Sequence, residues 1–191
     1  MHIHSLCVFC SSSDALEQHY FDLATNLGKA LAQHNITLVY GGAHVGVMKH
    51  LALAVQQNNG QVHGIIPRVI FEKGIAYEEA DELTMVDDMA QRKQIMENEA
   101  DAFVALPGGI GTLDEVFEML ALKQLGQHNK PVVFLDTNGF YNSLAPHLEK
   151  LVKEHFIKQQ ANALYHISHT LEDMFDYFDR YETKDLGGKW F

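Results

Sequence analysis

Residues 102–115 read AFVALPGGIGTLDE, and this stretch decides the fold that the sequence predicts. The apolar run from Ala102 to Leu106 is typical of a buried strand, and it ends at Pro107 before three glycines in four positions. A helical pattern follows, and we expect it to open with Glu115. A glycine-rich loop between a strand and a helix favours anions, because free backbone N–H groups and the helix dipole attract negative charge there.

The pair formed by Thr112 and Glu115 has two interpretations. Their T-x-x-E spacing fits a capping box, in which the two side chains satisfy the first N–H groups of a helix. Capping leaves Gly108, Gly109 and Gly111 unexplained, because it needs no run of glycines. The alternative is a site that binds a phosphate and uses Glu115 in chemistry on the molecule that carries it. The sequence favours the second interpretation and leaves the first open.

Size and charge restrict the class of protein. The chain has 191 residues and a net charge of −11, without a basic cluster, so we expect no nucleic-acid partner. No apolar run approaches the ~20 residues that cross a bilayer, and the N-terminus lacks the pattern of a signal peptide. We therefore expect a cytoplasmic protein with no membrane contact. Residues 1–182 are predicted to form one domain, and residues 183–191 a flexible tail.

Strand and helix patterns alternate along the chain, which predicts an α/β fold with a mostly parallel sheet flanked by helices on both faces. The predicted strands are Ser5–Cys10, Thr37–Tyr40, Val62–Ile66, Leu83–Val86, Ala102–Leu106, Pro131–Leu135 and Tyr165–Ile167. The predicted helices are Tyr20–His34, Val45–Asn58, Met89–Glu99, Glu115–Leu125 and Tyr141–Glu154. Such sheets bind ligands outside the carboxyl ends of their strands, where the strand order reverses.

Three strand exits should open on that edge: residues 11–14, 41–46 and 107–112. The second contains Gly41, Gly42 and Gly46 in a GGxxxG pattern, which departs from the GxGxxG dinucleotide motif. No acidic residue follows at the end of the next strand to hold a ribose, which argues against an oxidoreductase. A tight strand-to-helix turn explains these glycines as well as a ligand does.

Cys7 and Cys10 form a CxxC within an apolar strand pattern. Because positions three apart on a strand point to opposite faces, we expect two buried, inert thiols rather than a redox or zinc site. The twelve histidines show no compact ligand spacing, so we predict no metal.

Met89 begins a further helix that carries Arg92 and Lys93 near its start, where two cations oppose the helix dipole. A solvated charged face is one explanation. The other is an anion-binding arginine, whose rigid fork of donors suits a phosphate or the edge of a base.

The motifs, taken in order, resemble those of one known family. They are VFCSSSD, VYGGxxxGVM, GIIPxxI, MxxRK, DAFVALPGGIGTLDE, QLGxHxKPVVFL and NGFY, over about residues 5 to 157. In that order and spacing they resemble the LOG ("Lonely Guy") family, the cytokinin riboside 5′-monophosphate phosphoribohydrolases. The family also carries an old label of lysine decarboxylase. A pyridoxal-phosphate enzyme would need a Schiff-base lysine, for which Lys93 is the only candidate within a motif, and we set the label aside.

The resemblance implies a Rossmann-like, doubly wound homodimer that hydrolyses the N-glycosidic bond of an adenine-type nucleoside 5′-monophosphate. It implies catalytic roles for Arg92 and Glu115, and no cofactor. The substrate-contacting residues implied by the motifs or expected from the strand exits are Lys93, Gly108, Gly109, Ile110, Gly111, Thr112, Leu113, Asp114, Gly41, Gly42, Gly46 and Met89.

Three positions depart from the family pattern: Ser11 replaces a glycine, Gly74 a glutamate and Ala121 a threonine. Preference for an N6-substituted base is therefore less secure than the hydrolysis, and plain AMP is a further candidate substrate. The alternative from another class is a nucleotide-binding or carrier protein of the same fold without catalysis, which would not need the pair of Glu115 and Arg92.

Overall fold

The computed structural model describes residues 2–158 and 163–183, and within them the chain alternates between strands and helices. The strands are β1 (Ser5–Phe9), β2 (Thr37–Tyr40), β3 (Val62–Pro67), β4 (Glu82–Val86), β5 (Ala102–Ala105), β6 (Val132–Leu135) and β7 (His166–Ser168). The helices are α1 (Gln18–Gln33), α2 (Gly46–Gln57), α3 (Arg68–Phe71), α4 (Met89–Glu99), α5 (Ile110–Gln124), α6 (Leu144–Lys153) and α7 (Leu171–Asp179).

The strands form one sheet in the order β4-β3-β2-β1-β5-β6-β7, and every strand pair in it is parallel. The chain therefore moves outward in one direction from β1 and then in the other from β5. This arrangement confirms the predicted Rossmann-like, doubly wound fold. The reversal lies between β1 and β5, so the loops after these two strands meet at the edge where such sheets bind ligands.

Helices cover both faces of the sheet over two apolar cores. Leu6 and Val8 of β1 face one core, beneath α1 and α2, and Cys7 and Phe9 face the other, beneath α4 and α5. Cys10 belongs to the first core, so the two cysteines lie on opposite faces, as predicted, and both are buried free thiols. A strand buried on both faces explains why β1 reads as a continuous apolar run.

The predicted strands agree with the observed ones to within one residue at each end, and α4 agrees at both ends. The predictions missed two helices, α3 and α7, and placed the start of α5 five residues late. Because α5 begins at Ile110 after an N-cap at Gly109, Thr112 lies inside the helix and cannot be its N-cap. The capping-box interpretation of Thr112 and Glu115 is therefore wrong. Of the predicted tail, only Thr183 lies within the described residues.

Candidate active site

A cavity of about 360 Å³ lies at the carboxyl edge of the sheet, beside the point where the strand order reverses. We call it the main cavity. Its walls come from the loops after β1, β2 and β5 and from the starts of α4 and α5. The predicted site residues that line it are Gly41, Met89, Arg92, Gly109, Ile110, Gly111, Thr112 and Glu115.

The two predicted catalytic residues meet in this cavity. Arg92 Nη1 donates to Glu115 Oε1 across 2.7 Å, although the two residues are 23 positions apart and lie on different helices. Each side chain is only 8% exposed. A buried arginine and a buried carboxylate are costly to desolvate unless they are paired, so this ion pair explains how both charges are tolerated at the cavity wall.

Arg92 is held from two further directions. Its Nε donates to the carbonyl oxygen of Ile65 across 3.0 Å, which fixes the guanidinium against the end of β3. Its other face lies against Gly41, where an added Cβ would come within 1.9 Å of Nη2. Because Gly41 has no side chain, the guanidinium can occupy the space beside it. The structure thus gives this glycine a packing role toward Arg92.

Burial raises the pKa of Glu115 above its ordinary value, and the nearby charge of Asp114 raises it further. The Arg92 guanidinium opposes both effects through its charge and its hydrogen bond. The net direction is upward because desolvation is the largest of these contributions. Glu115 therefore accepts a proton more readily than an exposed glutamate, as a general base requires.

The start of α5 faces the main cavity without a side-chain cap. Within the described part of the chain, no side chain accepts a hydrogen bond from the amides of Ile110, Gly111 or Thr112. A Cβ added to Gly109 or Gly111 would meet no atom within 4 Å, and neither glycine has a left-handed backbone. The protein's own packing does not require these two glycines, whereas a ligand that approaches the amides would.

The start of α2 is different, although it follows a similar glycine-rich loop. The amide of Gly46 donates to Asp14 Oδ1 across 3.0 Å, and the amide of Val47 donates to the carbonyl oxygen of Ser11 across 3.0 Å. A Cβ on Gly46 would come within 2.4 Å of the carbonyl carbon of Ser12. The loop after β1 therefore satisfies this helix start from within the chain.

Some predicted contact residues lie away from the walls of the main cavity. Lys93 pairs with Asp114 at 3.0 Å and with Glu118, so its ammonium group is directed along α5. Leu113 packs against an apolar core. Gly42 accepts from the amide of Tyr77 through its carbonyl, and Gly46 is occupied as described above. Gly108 lines a neighbouring cavity instead. As substrate contacts, these residues remain predictions.

That neighbouring cavity, which we call the side cavity, has about 340 Å³ and shares Ser11, Ser13 and Gly109 with the main one. Tyr20 and Phe140 form much of its apolar wall. These side chains were not among the predicted site residues, and neither were Cys10, Ser12, Ile70 and Ile75 of the main cavity. The strand exit at residues 11–14 was a usable signal for the serines, and the GIIPxxI and NGFY motifs, which end at Ile70 and contain Phe140, were usable signals for those two residues.

Cys10 lines the main cavity, but its chemistry is unsuited to nucleophilic attack. Burial and the nearby charge of Glu115 raise the pKa of its thiol, so the reactive thiolate does not form near neutral pH. Among residues 2–158 and 163–183, no three His, Cys, Asp or Glu side chains are grouped as metal ligands. No helix in these same ranges has the length and apolarity to cross a membrane.

Comparison with known proteins confirms the resemblance over most of the chain. A family model described as "Possible lysine decarboxylase" matches residues 48–178. A rice (Oryza sativa subsp. japonica) protein named probable cytokinin riboside 5′-monophosphate phosphoribohydrolase LOGL6 is 41% identical over 179 residues, which cover 94% of this chain and 72% of the rice protein. The chain belongs to the LOG family. The Arabidopsis thaliana relative LOG3, named without the word "probable", is 40% identical over 92% of this chain and 82% of its own length.

Solved structures share the fold of this LOG-family chain at lower identity. A molybdenum cofactor binding protein from Rippkaea orientalis has a TM-score of 0.69 and 23% identity, over 94% of this chain and 97% of that protein. The molybdenum cofactor carrier protein of Chlamydomonas reinhardtii has a TM-score of 0.70 and 22% identity, over 92% and 96% of the two chains. At this identity the likeness establishes the fold alone.

Proposed function

We propose that this chain hydrolyses the N-glycosidic bond of adenosine 5′-monophosphates, including N6-substituted ones, to the free base and ribose 5-phosphate. The observation that carries the proposal is the buried pair of Arg92 and Glu115, 2.7 Å apart in a cavity that also contains the uncapped start of α5. The names of the LOG relatives give the same reaction for those proteins.

The phosphate is proposed to bind at the start of α5. The amides of this helix start face the cavity, and Gly109 and Gly111 leave space in front of them. The helix dipole contributes partial positive charge at the same point, which favours a dianion. Met89 and Ile110 add apolar wall nearby, so the cavity can accept a base as well as an anion.

Glu115 follows Gly111 by four residues, or about one turn of α5. A phosphate at the start of the helix therefore holds the attached ribose near the carboxylate. Loss of the base leaves positive charge on the sugar ring, which an adjacent carboxylate stabilises. Glu115 also takes a proton from the attacking water, whose oxygen forms the new bond to the anomeric carbon as the C–N bond breaks. The base leaves with the electron pair of that bond and takes up a proton at its nitrogen from solvent water.

Arg92 has two parts in the proposal. Its charge favours the ionised form of Glu115 in a buried position, since the guanidinium opposes the effect of burial on the carboxyl pKa. Its hydrogen bond to the Ile65 carbonyl holds the guanidinium at the cavity wall, within reach of the departing base or of the phosphate. Water is the only co-reactant, so the reaction proceeds without a cofactor.

Lysine decarboxylation fits these residues poorly. A pyridoxal-phosphate enzyme needs a lysine whose amine reaches the cofactor, and the lysine within the MxxRK motif, Lys93, is directed at Asp114 and Glu118 instead. Burial lowers the pKa of Lys93, but the hydrogen bonds and charges of those two carboxylates together outweigh it. The pKa is therefore raised, which disfavours the neutral amine that a Schiff base requires.

The proposal includes a homodimer in the cytoplasm. Ile110 and Phe117, seven residues apart on α5, and Leu125, directly after its end, are exposed, with Ile110 at 83%. A row of exposed apolar side chains on a helix is typical of a protein interface, and a second copy of the chain would cover it. Sedimentation velocity should give twice the mass of the chain. The free thiols Cys7 and Cys10 suit a reducing compartment.

The direct test is to incubate the protein with AMP and with isopentenyladenosine monophosphate and to measure free base by chromatography. We expect base from at least one of them, and Glu115→Gln should lower the rate by about 10²–10⁴-fold while nucleotide binding is nearly unchanged. Glu97→Gln is the matched control, because Glu97 makes an ion pair with Lys130 away from the cavity. Tight binding with no base from any nucleotide would favour a carrier.

A further inference from the structure

The turn that follows β6 contacts the chain just before the glycine-rich loop that leads into α5. It spans residues 136–142, directly after β6, and Tyr141 lies near its end. The Tyr141 ring is buried, and its hydroxyl donates to the carbonyl oxygen of Leu106 across 2.7 Å. Leu106 immediately precedes Pro107 and the glycine-rich loop. The hydroxyl therefore holds the last peptide before the proposed phosphate-binding segment.

This turn is fixed by the ends of β6 and β7. Asp136 accepts from the amide of Tyr141 through Oδ2 at 3.2 Å, which closes the turn. The amide of Asp136 donates to the carbonyl of Ser168 at 2.7 Å, and its carbonyl accepts from His169 Nδ1 at 2.9 Å. Tyr141 is therefore held at both ends, by its backbone at Asp136 and by its hydroxyl at Leu106.

Leu106 is also held through its backbone amide, by the neighbouring strand of the sheet. The amide of Leu106 donates to the carbonyl of Phe9 at 2.9 Å, which continues the pairing of β5 with β1. Pro107 has no N–H, so the chain there cannot be held by a backbone donor of its own. The Tyr141 hydroxyl supplies a donor to the preceding carbonyl instead.

We propose that Tyr141 is a positioning residue that sets the placement of residues 107–111, and with it the affinity for the phosphate of the substrate. Anion binding by amides depends on their direction, since the strength of a hydrogen bond falls steeply with angle. A shift of the Leu106 peptide would turn the following loop and misdirect the amides at the start of α5. The inference rests on the proposed function only for the identity of the ligand.

The adjacent residue gives this turn a second contact with the site. Phe140 lines the side cavity together with Pro107, Gly108 and Gly109, and its ring contacts that of Tyr20 at 6.1 Å between centroids. Tyr141 thus binds the residue that precedes the loop, and Phe140 lines the side cavity together with the loop itself. A single turn places both side chains.

The test compares Tyr141→Phe with Tyr181→Phe. Both changes remove a tyrosine hydroxyl that donates to a backbone carbonyl, at 2.7 Å in the first case and at 2.9 Å to Asn129 in the second. Tyr181 lines neither the main nor the side cavity. Calorimetry gives the Kd of ribose 5-phosphate and of adenine for each variant and for the wild type, and thermal melting reports their folding.

We expect Tyr141→Phe to raise the Kd of ribose 5-phosphate about five- to tenfold, with the Kd of adenine and kcat changed less than about twofold. Tyr181→Phe should leave both Kd values unchanged. An equal loss for both ligands, or a lower melting temperature with unchanged affinity, would mean a general structural role and overturns the inference. Wild-type protein that binds ribose 5-phosphate but releases no base refutes the proposed function and leaves this test intact.

If Tyr141→Phe does not fold, Asp136→Ala provides the same test from the other end of the turn. It removes the acceptor of the Tyr141 amide and leaves the hydroxyl in place. The Kd of ribose 5-phosphate should rise in this variant too, and the Kd of adenine should not. Unchanged affinity for ribose 5-phosphate in folded Asp136→Ala overturns the inference.

Discussion

The starts of α2 and α5 look alike in sequence and differ in whether the chain itself accepts the hydrogen bonds of their first amides. Each follows a parallel strand and a glycine-rich loop at the same edge of the sheet. At α2, Asp14 and Ser11 accept the hydrogen bonds of the first amides. At α5, no described side chain does so, and Gly109 and Gly111 open onto the main cavity.

The glycines differ in the same way. Gly41 and Gly46 have neighbours that a Cβ would strike, namely the Arg92 guanidinium and the backbone of Ser12. Gly109 and Gly111 have none within 4 Å. A glycine-rich loop is therefore not by itself a ligand site. What distinguishes the two is whether the chain itself fills the space in front of the glycines.

Among the variants that test this comparison, the largest effect should follow from Gly41→Ala. The new methyl group would overlap Arg92 Nη2, which lies at the end of a flexible side chain, so the guanidinium moves while the fold persists. Because a displacement of about 1 Å in a catalytic group can cost about a hundredfold in rate, we expect kcat to fall by about that factor. Base release and thermal melting check this. An unchanged kcat would show that the position of Arg92 is not set by Gly41.

The comparison itself is tested by the pair Gly111→Ala and Gly46→Ala. At Gly111 the methyl group enters open space inside a helix, so stability should not fall, but the Kd of AMP should rise about tenfold to a hundredfold as amide contacts to phosphate are lost. At Gly46 the backbone has φ +55° and the methyl group meets Ser12, so the free energy of unfolding should fall by about 2 kcal/mol or more.

Calorimetry and thermal melting separate the two variants. A Gly111→Ala variant that melted well below the wild type while binding AMP normally would contradict the view that the start of α5 is open to a ligand. A Gly46→Ala variant as stable as the wild type would contradict the view that the chain fills the space beside Gly46.

The pH dependence should report on Glu115. Burial raises the pKa of this carboxyl, and its ionised form is the proposed base. As the pH is lowered, kcat/KM should therefore begin to fall at a pH above the pKa of an exposed glutamate. Below that pKa the fall should be about tenfold per pH unit. The profile of kcat/KM against pH, at a pH where the fold is intact by circular dichroism, measures it. An acid limb at the pKa of an exposed glutamate would contradict the prediction.

The smallest effect should come from Asp14→Ala. This change removes the acceptor of the Gly46 amide, so α2 should lose about 1 kcal/mol of stability and the melting temperature should drop by about 2–4 °C. Asp22→Ala on the exposed side of α1 is the control for loss of one negative charge. Equal melting temperatures for the two variants would argue that Asp14 does not stabilise α2.

The fold was predictable because a fully buried parallel strand and an amphipathic helix leave clear patterns. The exceptions have physical causes. Helix α3 has four residues, too few for a helical period to show. The start of α5 carries Gly111, which lowers intrinsic helix propensity, and tertiary contacts override it. Helix α7 was detectable, since Thr170 accepts from the amide of Asp173 in the manner of an N-cap.

The site was predictable only in part. The motifs named Arg92 and Glu115 together, and the structure places the two side chains 2.7 Å apart, whereas their catalytic roles stay a prediction. The walls formed by Ile70, Ile75 and Phe140 depend on segments that are far apart in sequence. Likewise, nothing local to Gly46 indicates that Asp14, 32 residues earlier, satisfies its amide.

Asp14 has a consequence for how the protein responds to simple salts. Its carboxylate stands at α2 as a permanently attached anion, so dissolved phosphate competes there with a group that is always present. Inorganic phosphate should consequently compete with the substrate at the start of α5 and leave the start of α2 unoccupied.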